Sequence, residues 1–214
     1  MNRRTEELLA GLVADLRPVR RLAAPGWRAA GWLAAAAAAI GAAVAWSGLR
    51  HDIAARLALP HEVGQWLASV STGALAAVAA FAVALPDRSP RWALLPLPAL
   101  AAWLAMLGWG CLADLARLGP QALALGTSWS CLRFIAGLGV PLLGSMLWCL
   151  RHAAPVRPVP VALLAGLASA ALCSAGLSLF HHLDAALMVL LWHGGAALLV
   201  VCVGGALGRA MGSR

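Results

Sequence analysis

The amino-acid sequence predicts an all-α, polytopic membrane protein: a bundle of six transmembrane helices with both termini in the cytoplasm. Of its 214 residues, 62% are hydrophobic and only 11% are charged. A soluble domain of this length could not bury so much apolar surface. The helix number comes from six apolar stretches of about 20 residues each, the length that crosses a hydrocarbon core of ~30 Å. The orientation comes from the distribution of its sixteen arginines.

The first segment, residues 1–26, is the only sizeable polar part of the chain. Leu8, Leu12 and Leu16 recur there at helical spacing and form one apolar stripe. Three arginines follow the stripe: Arg17, Arg20 and Arg21. Two interpretations remain open. The helix lies on the membrane with its arginines among anionic headgroups, or it docks into a groove of a cytoplasmic protein.

A six-helix transmembrane domain is predicted over residues 27–207, followed by a short cytoplasmic tail over 208–214. The six apolar stretches are Trp27–Ser47, Trp66–Leu85, Ala93–Leu112, Cys131–Leu150, Val161–Phe180 and Ala185–Leu207. Small residues recur every fourth position in the fifth stretch, beginning at Gly166 and Ala170. Such a ridge of small side chains allows neighbouring helices to approach closely.

The charged residues divide unequally between the two sides of the predicted bundle. Twelve of the sixteen arginines, with four acidic residues, fall on the side that carries both chain ends. The other side carries four arginines and four acids, so the whole net charge of +8 lies on one side. Because arginine-rich segments stay in the cytoplasm, this asymmetry places both termini inside. No basic patch alternates with aromatic residues, so direct nucleic-acid binding is not expected.

Two of the five cysteines lie at a predicted membrane rim rather than inside a helix. Cys111 and Cys131 are each two residues from a tryptophan, Trp109 and Trp129, and tryptophan collects where bilayer meets water. Both thiols are therefore expected on the extracytoplasmic side, at either end of one loop. A disulfide closing that loop would be worth roughly 3 kcal/mol if the two helices are neighbours. A redox or thiol-sensing role and inert packing both remain open. Cys173 and Cys202, inside the fifth and sixth stretches, are expected to act as small apolar residues, and Cys149 falls at the inner end of the fourth.

A second group of candidates surrounds the start of the sixth stretch. His181 and Asp184 precede it, and His193 lies about two turns inside it. A histidine at that depth implies a partner or a cavity. Metal coordination and capping of a helix end by His182 and Asp184 both remain open, although the spacing matches no standard zinc pattern. No cofactor motif or catalytic set is present, so we predict neither a metal site nor an enzyme.

Five segments of the chain carry a family resemblance. They are Leu12–Leu22, Leu85–Leu94, Gly108–Cys111, Ser130–Phe134 and Phe180–His193. Together they resemble the NrsF-type integral-membrane anti-sigma factors of proteobacteria. This resemblance implies a multi-pass protein of the bacterial inner membrane that sequesters an extracytoplasmic-function sigma factor on its cytoplasmic face. It also implies release on oxidant or heavy-metal stress through motif cysteines, here Cys111 and Cys131.

The resemblance also bears on the N-terminal segment. If the partner is a sigma factor, residues 1–26 offer the largest cytoplasmic surface for binding it. Leu8, Leu12 and Leu16 then supply an apolar anchor, and the arginines supply bidentate contacts to acidic side chains. The alternative function is a small membrane transporter or redox carrier for a metal ion or proton, using His193 and the rim residues. The sequence leaves the oligomeric state open.

Overall fold

The computed structural model describes residues 3–14, 22–123, 128–153, 155–181 and 186–212, and every regular element within these ranges is helical. The α-helices are α1 (Arg3–Ala14), α2 (Pro25–Ser47), α3 (Ile53–Leu57), α4 (Pro60–Val83), α5 (Leu97–Leu118), α6 (Trp129–Leu150), α7 (Pro158–Leu177) and α8 (Ala186–Gly212). Short 3₁₀ turns occupy Pro90–Leu94, Gly119–Leu123 and Arg151–Ala153. Six of the described helical segments are long and apolar enough to cross a membrane. The predicted all-α, six-span architecture is confirmed.

Prolines set where several of the long helices begin. α2, α4 and α7 open at Pro25, Pro60 and Pro158. Proline suits the first helical turn, because its missing N–H would have no partner there and its φ is already helical. α4 therefore begins a turn and a half before the apolar stretch that starts at Trp66. The helix continues through His61 and Glu62 because backbone hydrogen bonding does not require apolar side chains.

α7 is the central helix of the bundle. It packs against α2, α4, α6 and α8, and 72% of its most apolar stretch is buried. Two hydrogen bonds tie α4 to it: Ser69 Oγ donates to the carbonyl of Ala171 at 2.9 Å, and Trp66 Nε1 donates to the carbonyl of Ala175 at 3.2 Å. These bonds give the polar groups of Ser69 and Trp66 the hydrogen-bond partners that lipid cannot supply.

The predicted ridge of small residues brings α7 and α8 into close contact. A Cβ added at Gly166 would lie 2.9 Å from the Cα of Val201 on α8. Gly204 of α8 likewise faces the backbone of Ala162 on α7. Backbones this near each other tolerate no side chain between them, which is the packing that small-residue ridges permit.

The helices that carry the two rim cysteines are separated. α5 packs against α4 and α8, whereas α6 packs against α7 and α8. Among the described residues, contact between α5 and α6 is at most marginal, and α8 packs against both of them.

The bundle has two chemically different ends. At the terminal end, the start of α2 meets the end of α6, where Arg28 Nη2 donates to the carbonyl of Cys149 at 2.7 Å. The end of α8 meets the start of α7 there too, at Gly208 and Val159. The opposite, distal end contains α3, the starts of α4 and α6 and the end of α7. Because the chain alternates between these ends, successive spans run antiparallel.

Candidate functional site

Cys131 lies in the first turn of α6, in a pocket of polar side chains at the distal end. Its side chain is fully buried. The Oγ atom of Ser128, the residue before the helix, lies 3.0 Å from Cys131 Sγ and 3.3 Å from Ser130 Oγ. Since Ser128 is itself buried, its hydroxyl is a fixed partner of the thiol rather than a solvated one.

His181 reaches the same thiol from the end of α7. Its Nε2 atom lies 2.6 Å from Ser130 Oγ and 3.9 Å from Cys131 Sγ. The backbone N–H of His181 donates to the carbonyl of Leu177 at 3.0 Å, which continues the helical pattern past α7. The adjacent Phe180 packs edge-on against Phe134 of α6, with ring centroids 4.9 Å apart. Together these contacts fix the imidazole beside the first turn of α6.

Arg50, in the connection after α2, supports His181 from the other side. Its side chain is only 6% exposed, and Nη1 donates to the carbonyl of His181 at 3.0 Å. Its Nε and Nη2 atoms bind the two carboxylate oxygens of Asp52 at 2.5 and 2.8 Å. This bidentate pair holds the pKa of the Asp52 carboxyl far below its ordinary value of 3.8, chiefly through the Arg50 hydrogen bonds.

A cavity of about 780 Å³ opens beside this network, between α3, α4, α5, α7 and α8. Its charged lining residues are paired: Arg50 with Asp52, Arg56 with Glu62, and Arg117 with Asp114 at 3.1 Å. His181 forms part of its wall, whereas Cys131 lies behind that wall.

His193 lines the same cavity from α8 and is 6% exposed. His193 therefore lies about two turns after the start of α8, and a cavity accompanies it. Ser174 of α7 also lines the cavity, and its buried Oγ has no hydrogen-bond partner among the described residues. Within the described part of the chain, no group of three or more histidines, cysteines and acids is arranged to hold a metal ion.

The two cysteines that the sequence singled out lie on different helices and are not joined by a disulfide. Cys111 lies on α5 and is partly exposed, and Cys131 is buried at the start of α6; both are free thiols. The structure instead brings Cys131 together with His181, fifty residues further along the chain. Asp184 lies outside the described residues. The parts of the site that sequence reasoning missed are Arg50, Ser128 and Ser130, whose roles depend on contacts between distant segments.

The N-terminal helix contrasts with the rest of the molecule, because none of its residues is buried. Leu8 is 66% exposed and Leu12 is 60% exposed, and Leu9 and Val13 beside them are exposed as well. The other predicted contact residues, Leu16, Arg17, Arg20 and Arg21, lie outside the described residues. α1 therefore presents apolar side chains that the bundle does not cover.

These features define a multi-pass helical membrane protein with an uncovered N-terminal helix and a polar thiol site at the opposite end. The family model for the negative regulator of sigma F, NrsF, matches residues 12–211, nearly the whole chain. The chain belongs to this family, and membership implies that it negatively regulates a sigma factor. The family is one of regulators, not enzymes. No curated protein and no solved structure matches the chain.

Proposed function

We propose that this protein sequesters an extracytoplasmic-function sigma factor at the cytoplasmic face of a bacterial inner membrane. Oxidant or heavy-metal stress, sensed by Cys111 and Cys131 on the extracytoplasmic side, releases the sigma factor and switches on its genes. The family match supports the sigma-factor partner. The observation that carries the binding mode is the exposed apolar face of α1.

The charges at the two ends support the proposed orientation. At the terminal end, Arg28 and Arg157 donate to backbone carbonyls of Cys149 and Arg88 rather than to acids. At the distal end, the arginines of the cavity wall are paired with carboxylates. Arginine-rich segments mark the cytoplasmic side of a membrane protein, and twelve of the sixteen arginines belong to the terminal end, which supports a cytoplasmic terminal end and an outward distal end.

α1 is the proposed sigma-binding element. An amphipathic helix binds a groove through apolar residues one turn apart, and Leu8 and Leu12 have that spacing, with Leu16 one turn further on. The basic residues after it, Arg17, Arg20 and Arg21, suit an acidic surface through bidentate pairing. The lipid-surface interpretation of α1 uses the same residues, so a binding measurement must separate the two.

The buried contacts of Cys131 support the sensing part of the proposal. The Cys131 thiol is packed between the hydroxyl of Ser128 and the imidazole of His181. Any group that is added to its sulfur must therefore displace these two side chains. Ser130 and His181 belong to α6 and the end of α7, so displacement there shifts two packed helices. A shift worth about 2.7 kcal/mol in the binding equilibrium would change sigma-factor affinity roughly a hundredfold.

The test is co-purification from membranes of cells that express the protein with an affinity tag. Bound proteins are identified by mass spectrometry before and after exposure to hydrogen peroxide. We expect one sigma factor in the untreated sample and its loss after exposure. A sigma factor recovered equally in both samples would contradict the release mechanism, and the absence of any sigma factor would contradict the sequestration itself.

A further inference from the structure

The contact between Cys131 and His181 suggests a chemical role for the histidine. Cys131 is fully buried, and an interior thiol reacts only after it loses its proton. Among the described residues, the base nearest to Cys131 Sγ is His181 Nε2, at 3.9 Å. With its proton on Nδ1, the imidazole presents Nε2 as an acceptor toward both Cys131 and Ser130.

We infer that His181 is the base that activates Cys131 toward a small uncharged hydroperoxide, and that Ser130 positions its imidazole. The inference deepens the proposed sensing function and rests on it. It names the reacting thiol, the group that takes its proton and the class of oxidant. It also makes Cys131 the site of the first chemical step without a disulfide to Cys111, which the packing places on a separate helix.

Two further features stabilise the thiolate that this proton transfer creates. Ser128 Oγ is 3.0 Å from Cys131 Sγ and can donate its hydroxyl proton to a negatively charged sulfur. Cys131 is also the third residue of α6, where the positive end of the helix dipole favours an anion. The imidazolium formed on His181 completes an ion pair with the thiolate, the arrangement that activates cysteine in Cys–His pairs.

The cavity brings a small oxidant as far as His181, the residue that lies between the cavity and the buried sulfur of Cys131. His181 is part of its wall and lies directly against Cys131. A volume of about 780 Å³ admits a molecule of the size of hydrogen peroxide or a short alkyl hydroperoxide. Arg50, Arg56 and Arg117 of the wall are each paired with a carboxylate, that of Asp52, Glu62 or Asp114, so the wall has no unpaired arginine to attract an anion. An uncharged oxidant is therefore favoured.

The oxidation of Cys131 begins with a proton transfer. The proton of the Cys131 thiol moves to Nε2 of His181, and the thiolate attacks the terminal oxygen of the hydroperoxide. An S–O bond forms and the O–O bond breaks, so the sulfur is oxidised by two electrons to a sulfenic acid and the peroxide is reduced. The departing alkoxide or hydroxide takes the proton back from His181 and leaves as alcohol or water, which regenerates the neutral imidazole.

The experiment measures sulfenic acid formation at Cys131 in the full-length protein, purified in detergent with its sigma factor bound. Hydrogen peroxide is added, dimedone traps the sulfenic acid, and mass spectrometry follows the labelled Cys131 peptide with time. We expect His181→Gly to slow the reaction roughly a hundredfold, the scale of general acid–base catalysis. Added imidazole, which fits the space that the substitution leaves beside the cavity, restores most of the rate.

The matched control is His61→Gly, which removes a histidine from the same cavity wall without touching Cys131 and leaves the rate unchanged. An unchanged rate in His181→Gly overturns the inference, and so does a slow rate that imidazole does not restore, because that pattern indicates a structural role. If His181→Gly does not retain the sigma factor before oxidation, His181→Asn replaces it. Asparagine keeps a polar group in the wall but accepts no proton, so its rate must also fall.

The same samples separate this inference from the proposed function. If Cys131 oxidises quickly only when His181 is present but the sigma factor stays bound, the inference stands and peroxide sensing through Cys131 fails. If peroxide releases the sigma factor equally fast from wild-type and His181→Gly proteins, the inference fails and the anti-sigma function stands.

Discussion

The guanidinium of Arg50 donates a hydrogen bond to the backbone carbonyl of His181, with Nη1 and the oxygen 3.0 Å apart. The same guanidinium binds Asp52 through both carboxylate oxygens, and the backbone N–H of Arg50 donates to the carbonyl of Leu179 at 3.1 Å. One side chain therefore ties the connection after α2 to the residues that present the imidazole to Cys131. The reactive group is held by contacts from three parts of the chain.

Arg50→Gln removes this tie, and we expect it to destabilise the distal end. A hydrogen bond from a charged donor is worth about 1.5–3 kcal/mol, and the buried position of Arg50 gives water little access to replace it. Thermal unfolding in detergent should show a lower midpoint. Arg133→Gln is the matched control, since Arg133 is exposed and its Nε donates to the carbonyl of Trp129, in its own helix, at 3.4 Å. Equal midpoints for the two variants would contradict the role of Arg50.

The Asp52 carboxyl should make stability depend on pH in the acid range. Its pKa is lowered in the folded protein, below an ordinary value of 3.8. A group with a depressed pKa contributes stability at pH values above its unfolded pKa and loses that contribution as the pH falls toward its folded pKa. The stability difference between wild type and Asp52→Asn should therefore be constant near neutral pH and shrink below about pH 4. Urea unfolding at several pH values measures it, and a difference that grows in acid would show that the sign is wrong.

The orientation can be tested with a reporter enzyme that is active only outside the cytoplasm. Fused after Arg214, it should be silent, because the terminal end carries the excess of arginine. Fused into the connection after Gly119, at the distal end, it should be active. The two fusions control for each other's expression, and the reverse pattern would invert every inside and outside assignment in the proposed function.

Leu12→Glu should release the sigma factor without any stress. The substitution places a charge in the exposed apolar stripe of α1, where binding of a partner would bury it at high cost. Ala14→Glu is the control, because two residues further on the same charge points about 200° round the helix. Expression of a sigma-dependent reporter gene measures the effect. Full repression by a stably expressed Leu12→Glu protein would leave α1 as a membrane-surface helix.

The cysteines should separate into responsive and silent positions. Cys131→Ser and Cys111→Ser are each expected to abolish release by oxidant while preserving membrane insertion, because both thiols belong to the proposed sensor. Cys173→Ser should respond as wild type does, because the Cys173 thiol is buried within the central helix and acts as a small apolar residue. Reporter induction by peroxide and by a heavy-metal salt measures all three. Normal induction in both rim variants would exclude the thiol switch.

The sequence by itself determined the class, the number of spans and the division of charge between the two sides. These properties depend on the lengths of the apolar runs and on the number of arginines in each connection. The bilayer constrains both along the chain, whichever helices contact each other. It also indicated the small-residue ridge at Gly166 and the depth of His193. The apolar stretch in the sequence begins at Trp66, whereas α4 begins at Pro60. An apolar run indicates which residues contact lipid and not where the backbone hydrogen bonds of the helix begin.

Only the tertiary structure decided which helices touch and which side chains meet. The sequence left a disulfide between Cys111 and Cys131 open, whereas the structure has both as free thiols, on helices that pack mainly against other neighbours. The contact of Cys131 with His181 joins residues fifty positions apart, and the bond from Arg50 to His181 spans 131 positions. No local pattern encodes such contacts, because they follow from how side-chain volumes on several helices fill a common space.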